Sequence, residues 1–223
     1  MRTFDFVTVD VFTDTRFGGN PLAVFPDARG LGDGEMQALA AEFNLSETTF
    51  VLPPSDPRNT ARVRIFNRKA EMPFAGHPNV GTAWVLRERG STLRFEEIAG
   101  LVEVEIAGEV PTIAAPQPLS LGQEMPADLL ADCVGLAASD VIVKNHKPVI
   151  ASVGNSFVVA EVTGEALTKA QPDIERFRQA HPKFPHLGPS RLPIYLYAHS
   201  GTKVRARMFS PLSGTIEDPA TGS

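Results

Sequence analysis

Cysteine is nearly absent: among 223 residues only Cys133 carries a thiol. A single cysteine excludes an intrachain disulfide and any Cys-x-x-Cys redox or metal motif. Its setting, Leu129-Leu-Ala-Asp-Cys-Val, reads as a packed core thiol. Excess positive charge is missing too. Lys and Arg number 21 against 26 Asp and Glu, a net charge of −5, which supplies no field for nucleic acid or an anionic membrane surface. No apolar run approaches the roughly 20 residues of a helical membrane span. The first residues, Met1-Arg-Thr-Phe-Asp-Phe, go straight into alternation, without the charged and apolar regions of a signal peptide. The expectation is a reduced, cytoplasmic chain with neither nucleic acid nor membrane as partner. Phosphate loops of the GxxxxGK[ST] or GxGxxG kind, the HExxH zinc motif and the GxSxG nucleophile elbow are all lacking. His146, His181, His186 and His199 are scattered at no ligand spacing. No cofactor and no metal is expected.

What is plentiful is punctuation: 18 glycines and 19 prolines point to many short strands and turns. The chain is organised around residues 75–82, Ala-Gly-His-Pro-Asn-Val-Gly-Thr, where a glycine-punctuated turn opens onto an apolar helical run reaching about Gly90. Pro78 suits the first turn of a helix, and Gly76 and Gly81 allow close backbone approach. The N–H groups and dipole of such a turn favour an anion such as a carboxylate, and His77 stands at its mouth. Upstream, residues 4–11 and 22–25 read as strands. Met36, Leu39, Ala40 and Phe43 mark one face of a helix capped at Asp33 or Gly34 and stopped near Asn44. Residues 48–52 and 62–66 follow as strands, and 93–98 and 101–107 as a pair joined by Gly100. Pro111, Pro116 and Pro118 suggest a linker, giving domains 1–115 and 116–223. In the second half, a helix over about 126–132, strands near 141–145, 149–153 and 156–163, a helix within 172–180 and strands at 194–197 and 204–209 are expected.

The halves share a signature. Arg62-Val-Arg64-Ile-Phe66 precedes Pro78-Asn-Val-Gly81-Thr82, and Arg205-Ala-Arg207-Met-Phe209 precedes Pro219-Ala-Thr-Gly222-Ser223. Duplicated domains would aim two helix starts at one cleft, with His77 and Asp218 just ahead of the two prolines. Glu47, closing the Asn44-Leu-Ser corner before an apolar strand, is the third acid/base candidate. Each has a plainer alternative: a solvated or capping carboxylate for Glu47, a structural imidazole for His77, a helix N-cap for Asp218.

Four motifs, Asp10-Val-Phe-Thr…Gly19-Asn-Pro-Leu-Ala-Val-Phe25, Asn44-Leu-Ser-Glu-Thr-Thr-Phe-Val51, Gly76-His-Pro-Asn-Val-Gly81 and Glu217-Asp-Pro-Ala-Thr-Gly-Ser223, occur in this order. Together they resemble the phenazine-biosynthesis isomerase (PhzF-like) family of the diaminopimelate epimerase-like fold. The resemblance implies an α+β fold of two pseudo-symmetric domains, each a curved, mostly antiparallel sheet around a central helix. It implies cofactor-free proton transfer on a small carboxylate substrate, and a homodimer. By the same resemblance Glu47 is the catalytic acid/base, and His77 and Asp218 assist it. Gly76, Gly222 and Ser223 match groups that hold the substrate carboxylate, and Asn20 lies in the matching turn at the cleft edge. The family's pattern continues past Ser223 into a second central helix, so the second domain is expected to lack that helix. Two other functions stay open: a shortened, inactive homologue serving as a binding module, and a racemase or epimerase. A racemase with two thiols is disfavoured, since His77 and Asp218 stand where related epimerases carry cysteines.

Overall fold

The computed structural model describes residues 2–221. They fall into two compact units. Of these, one holds residues 2–118, the Val153–Asn155 turn and residues 220–221; the other holds Leu119–Ser152 and Ser156–Pro219.

In the first unit, eight strands form one sheet: β1 (Val7–Val11), β2 (Asn20–Phe25), β3 (Glu47–Leu52), β4 (Ala61–Phe66), β5 (Glu71–Met72), β6 (Thr92–Glu97), β7 (Gly100–Ala107) and β8 (Val110–Ile113). Their order is β1-β2-β3-β4-β6-β7-β8, with β5 paired to β4. The β2–β3 and β4–β6 pairs are parallel; the others are antiparallel. Helix α1 (Asp33–Phe43) makes the crossover between β2 and β3 and ends where Asn44 turns left-handed at φ 54°. Helix α2 (Gly76–Val85) packs on β1, β2, β3 and β8. Since β1 and β8 are the two ends of the strand order, the sheet curls around this helix.

That placement explains the composition of α2. Gly76, His77, Pro78, Asn79, Gly81, Thr82 and Ala83 are all buried, so the helix has almost no solvent face. Gly81 marks its closest approach to the sheet: a Cβ there would sit 2.6 Å from Leu22 Cδ2 and 2.8 Å from Val11 Cγ2. The helix tightens into a 3-10 turn over Arg87–Arg89 and stops at Gly90, φ 152°. Strand parity divides the surroundings. Val51 of β3 joins the core beneath α2, whereas Phe50 joins the smaller core under Met36 and Ala40 of α1.

The second unit carries β9 (Ser120–Glu124), β10 (Val149–Ser152), β11 (Ser156–Glu161), β12 (Ile194–Ser200), β13 (Lys203–Ser210) and β14 (Thr215–Asp218), in the order β14-β13-β12-β11-β10-β9. Its core gathers Leu130 and Cys133 of α3 (Ala127–Cys133), Leu167 of α4 (Gly164–Lys169) and Phe177 of α5 (Ile174–Ala180) against Val158, Ile194 and Leu196.

The duplication read from the sequence is a duplication of topology. Strands β1 to β5 pair antiparallel, parallel, antiparallel, antiparallel, and β10 to β14 repeat that succession. The matched arginines also do the same work in each unit. Arg64 on β4 forks onto Glu71 with two 2.6 Å hydrogen bonds and lies 5.1 Å over the Phe66 ring. Arg207 on β13 forks onto Glu217 at 2.7 and 2.8 Å and lies 4.9 Å over Phe209.

Elsewhere the structure departs from the sequence reading. The expected strand at 141–145 is only an isolated bridge, Val141 to Val162. Asn145 turns its amide to Glu161 Oε2 (2.7 Å) instead of running along a ladder, and Pro148 follows. The first strand starts at Val7 rather than residue 4. Helix α4 lacks a sequence signature because six residues are too few for a period to show; Thr163 Oγ1 caps it by accepting from Ala166 N.

Candidate active site

Three consecutive decisions of the chain place Glu47. Asn44 ends α1 in the left-handed conformation, residues 45 and 46 turn the corner, and β3 opens in parallel register with Leu22 facing Glu47. Glu47 shares its side of the strand with Thr49 and Val51, the side that meets α2. Thr49 confirms the direction, its hydroxyl accepting at 2.9 Å from Thr82 Oγ1 on the helix. A register slip of one residue would turn Glu47 away from α2.

His77 is the second residue of α2, with 3% of its surface exposed. Its Nδ1 lies 3.0 Å from Glu47 Oε2, with side-chain exposures of 4% for the imidazole and 14% for the carboxylate. An ionised carboxylate can only accept, so toward such a carboxylate Nδ1 is the donor. Nε2 is buried and makes no hydrogen bond among the described residues. The pair sits at the positive end of the α2 dipole, whose cap residue Ala75 offers no side-chain bond. A carboxylate backed by an imidazole at a helix start is an arrangement that can accept, hold and return a proton.

Asn20 secures the corner. It is 1% exposed at the start of β2, its Oδ1 accepts from Ser46 Oγ at 3.2 Å, and its Nδ2 donates to the Ala220 carbonyl at 3.1 Å. The first unit therefore brings Glu47 to His77 beside Gly76 at the start of α2, with Asn20 bonded to the residue before Glu47. Asp218 ends β14 in the second unit, opposite Met208, and its negative charge helps burial raise the Tyr195 phenol. Gly222 and Ser223 lie outside the described residues.

Two residues of this region were not singled out from sequence. Ser46 needed only its adjacency to Glu47 to draw notice. Phe12 had no signal. It holds a left-handed φ of 64°, unusual for a bulky side chain, and its half-exposed ring stands 6.3 Å from the His77 ring.

Comparison with known proteins gives the family. The family model described as phenazine biosynthesis-like protein matches residues 9–223. A trans-2,3-dihydro-3-hydroxyanthranilate isomerase of Pseudomonas aeruginosa is 37% identical over 98% of this chain and 76% of its own length. An uncharacterized isomerase of Mesorhizobium japonicum is 35% identical over all of this chain and 78% of its own. The crystal structure of a PhzF-family phenazine biosynthesis protein from Bacillus anthracis superposes with a TM-score of 0.82 at 29% identity, covering 100% of this chain and 77% of that one. The chain belongs to the phenazine biosynthesis-like (PhzC-PhzF) family, as an enzyme of the isomerase class.

Proposed function

We propose that the protein is an isomerase that moves a proton from one carbon to another of a small carboxylate-bearing ring, and that it calls on no cofactor to do so. The observation that carries this reading is the Glu47–His77 pair, a buried carboxylate and imidazole 3.0 Å apart at the start of α2. In the reading, Glu47 takes a proton from a substrate carbon as a carboxylate and then, as the acid, returns it to another carbon. The enzyme ends the cycle in the protonation state in which it began. His77 stabilises each charge state of Glu47 through Nδ1, and its unpartnered Nε2 is available to a polar group of the substrate. Asp218 assists the transfer, and Gly76, Gly222 and Ser223, with Asn20 at the edge, hold the substrate carboxylate. The helix dipole at Gly76 supports an anion there. The substrate class follows the Pseudomonas relative, named for a dihydro-hydroxyanthranilate, a ring bearing a carboxylate. The same reading includes a homodimer.

The test is turnover of trans-2,3-dihydro-3-hydroxyanthranilate in deuterium oxide. The expected result is isomerisation with deuterium bound to carbon. Glu47→Gln should lower that rate by about 10²- to 10⁴-fold, the usual contribution of a positioned acid/base. Equal exchange by the wild type and Glu47→Gln removes Glu47 from the mechanism.

A further inference from the structure

A second carboxyl meets the turn that carries His77. Along β6 the inward positions are Leu93 and Phe95, both fully buried, and the alternation brings Glu97 to the same face. The residue is partly exposed at its backbone, yet both of its carboxyl oxygens are sealed from solvent and make no hydrogen bond among the described residues. Beside them is the amide of Asn79, third residue after Gly76 on α2 and 0% exposed. The Asn79 Nδ2 donates to the Ala75 carbonyl at 3.0 Å, one turn back, and its Oδ1 makes no hydrogen bond among the described residues. Both Glu97 oxygens and Asn79 Oδ1 are thus buried acceptors that make no hydrogen bond among the described residues. The surrounding backbone is fixed, since the Ala99 N–H just after β6 donates to the Pro73 carbonyl just before α2 at 3.0 Å.

We propose that Glu97 is a protonated, uncharged carboxyl whose O–H donates to Asn79 Oδ1, making it a positioning residue that holds the first turn of α2 and with it His77. One proton resolves the whole cluster: the acid gains an acceptor, the amide oxygen gains a donor, and no charge is buried. The charged neighbours leave this solution undisturbed. On β6 itself Arg94 and Glu96 point to the opposite face, where Glu96 accepts from the Ser55 and Asp56 N–H groups and from Asn59, and Arg94 pairs with Glu103 of β7. Gly100 is the residue across from Glu97 on β7, and on α2 the titratable His77 is turned to Glu47. Burial is the largest influence on Glu97 and outweighs the Asn79 amide, whose N–H side favours the ionised carboxyl, so that the pKa rises from 4.5 to about 8.

The sign of the consequence follows. Below pH 4.5 the carboxyl is protonated whether folded or unfolded. Between 4.5 and 8 only the folded chain keeps the proton, so the unfolding equilibrium shifts toward the unfolded state by as much as about tenfold per pH unit. Above 8 the stability attached to this proton is already gone.

Isotope-edited infrared spectroscopy of the wild type tests the protonation directly. The expected result is a carboxylic-acid band at pH 6.5 that disappears with a midpoint near 8 and is missing from Glu97→Gln. An ionised Glu97 at pH 6.5 overturns the proposal. Glu97→Gln, which donates through its amide at every pH, should become more stable relative to wild type as pH rises from 4.5 to 8. Parallel stability profiles overturn it as well. Positioning is read by amide hydrogen exchange. After correction for intrinsic exchange, opening of the Asn79 N–H should rise between pH 6.5 and 9 in wild type and stay level in Glu97→Gln; equal rises in both overturn the positioning role. These readouts do not depend on activity. The further step, from turn to rate, rests on the proposed role of His77. If protonation and exchange behave as stated while the pH profile of substrate deuteration is the same in both proteins, that role of His77 fails and the inference about Glu97 stands.

Discussion

Two glycines pack closely against β1, and adding one methyl group to each should have unequal effects. At Gly81 the new Cβ would lie 2.6 Å from Leu22 Cδ2, 2.8 Å from Val11 Cγ2 and 3.3 Å from Val9 Cγ2, all of them side-chain ends. Gly81→Ala gains about 1 kcal/mol of helix propensity. It also overpacks a closed interface, Leu22 being 0% and Val11 4% exposed, at about 1–3 kcal/mol. The balance is a loss of about 0–2 kcal/mol, or a melting temperature lower by a few degrees at roughly 2–4 °C per kcal/mol for a chain of this size. At Gly19 the Cβ would lie 2.3 Å from the Val11 carbonyl oxygen and 2.7 Å from Thr13 Cγ2. The carbonyl cannot turn aside, because Val11 faces Asn20 in the last register pair of β1 and β2. No helix gain offsets this clash, so Gly19→Ala should cost about 3 kcal/mol or more, the upper end of overpacking. Urea unfolding read by far-ultraviolet circular dichroism measures both, with midpoints and slopes fitted together. Gly81 lies one turn beyond His77 on the same helical face. Pushing α2 off β1 and β2 should therefore also lower substrate deuteration by Gly81→Ala. A neutral Gly19→Ala, or a Gly81→Ala costing more than Gly19→Ala, would refute the account of how the helix is seated.

Asn20→Ala removes the acceptor of Ser46 Oγ and the donor to the Ala220 carbonyl. It should lose about 1–3 kcal/mol of stability, with a fall in deuteration rate because Ser46 adjoins Glu47; unchanged stability would show that the corner holds itself. In the second unit Arg207 Nη1 also donates to the carbonyls of Leu167 (2.8 Å) and Ala170 (2.9 Å) near the end of α4. Arg207→Ala should lose about 1–3 kcal/mol, and Arg207→Lys should recover only part, since a point charge cannot replace the planar fork on Glu217. Full recovery by lysine in thermal unfolding would reduce the contact to charge alone.

The corner bearing Glu47 was legible because its determinants are local. A left-handed stop at Asn44, two turn residues and a β-branched strand fix both the element boundary and the parity that sends Glu47 toward α2. The duplication was legible for the opposite reason: it is long-range, yet each copy repeats the same arginine and phenylalanine spacing, and each arginine meets a glutamate further along. Glu97 was not legible. Residues 93–98 read only as a short alternating strand, which does not show whether an acid near its end stays in the core. Only the arrival of Asn79, eighteen positions earlier in sequence, shows that the strand has not left it. Strand β9 was invisible because all five of its residues are exposed, leaving no alternation to read.

These features have a common physical origin. A helix enclosed by a sheet must begin somewhere inside the protein, and its first turn brings polar groups into a region that water does not reach. In α2 those groups are His77 and Asn79, two positions and so about 200° apart around the helix axis. Each meets a carboxyl from a different strand on its own side: Glu47 of β3 for the imidazole, Glu97 of β6 for the amide. The imidazole can donate to a carboxylate through Nδ1. The other carboxyl is sealed from water, and burial favours its uncharged form, which can donate to the amide oxygen. One helical turn thus meets two carboxyls on nearly opposite faces, the proposed proton-transferring Glu47 on one and the proposed neutral Glu97 on the other.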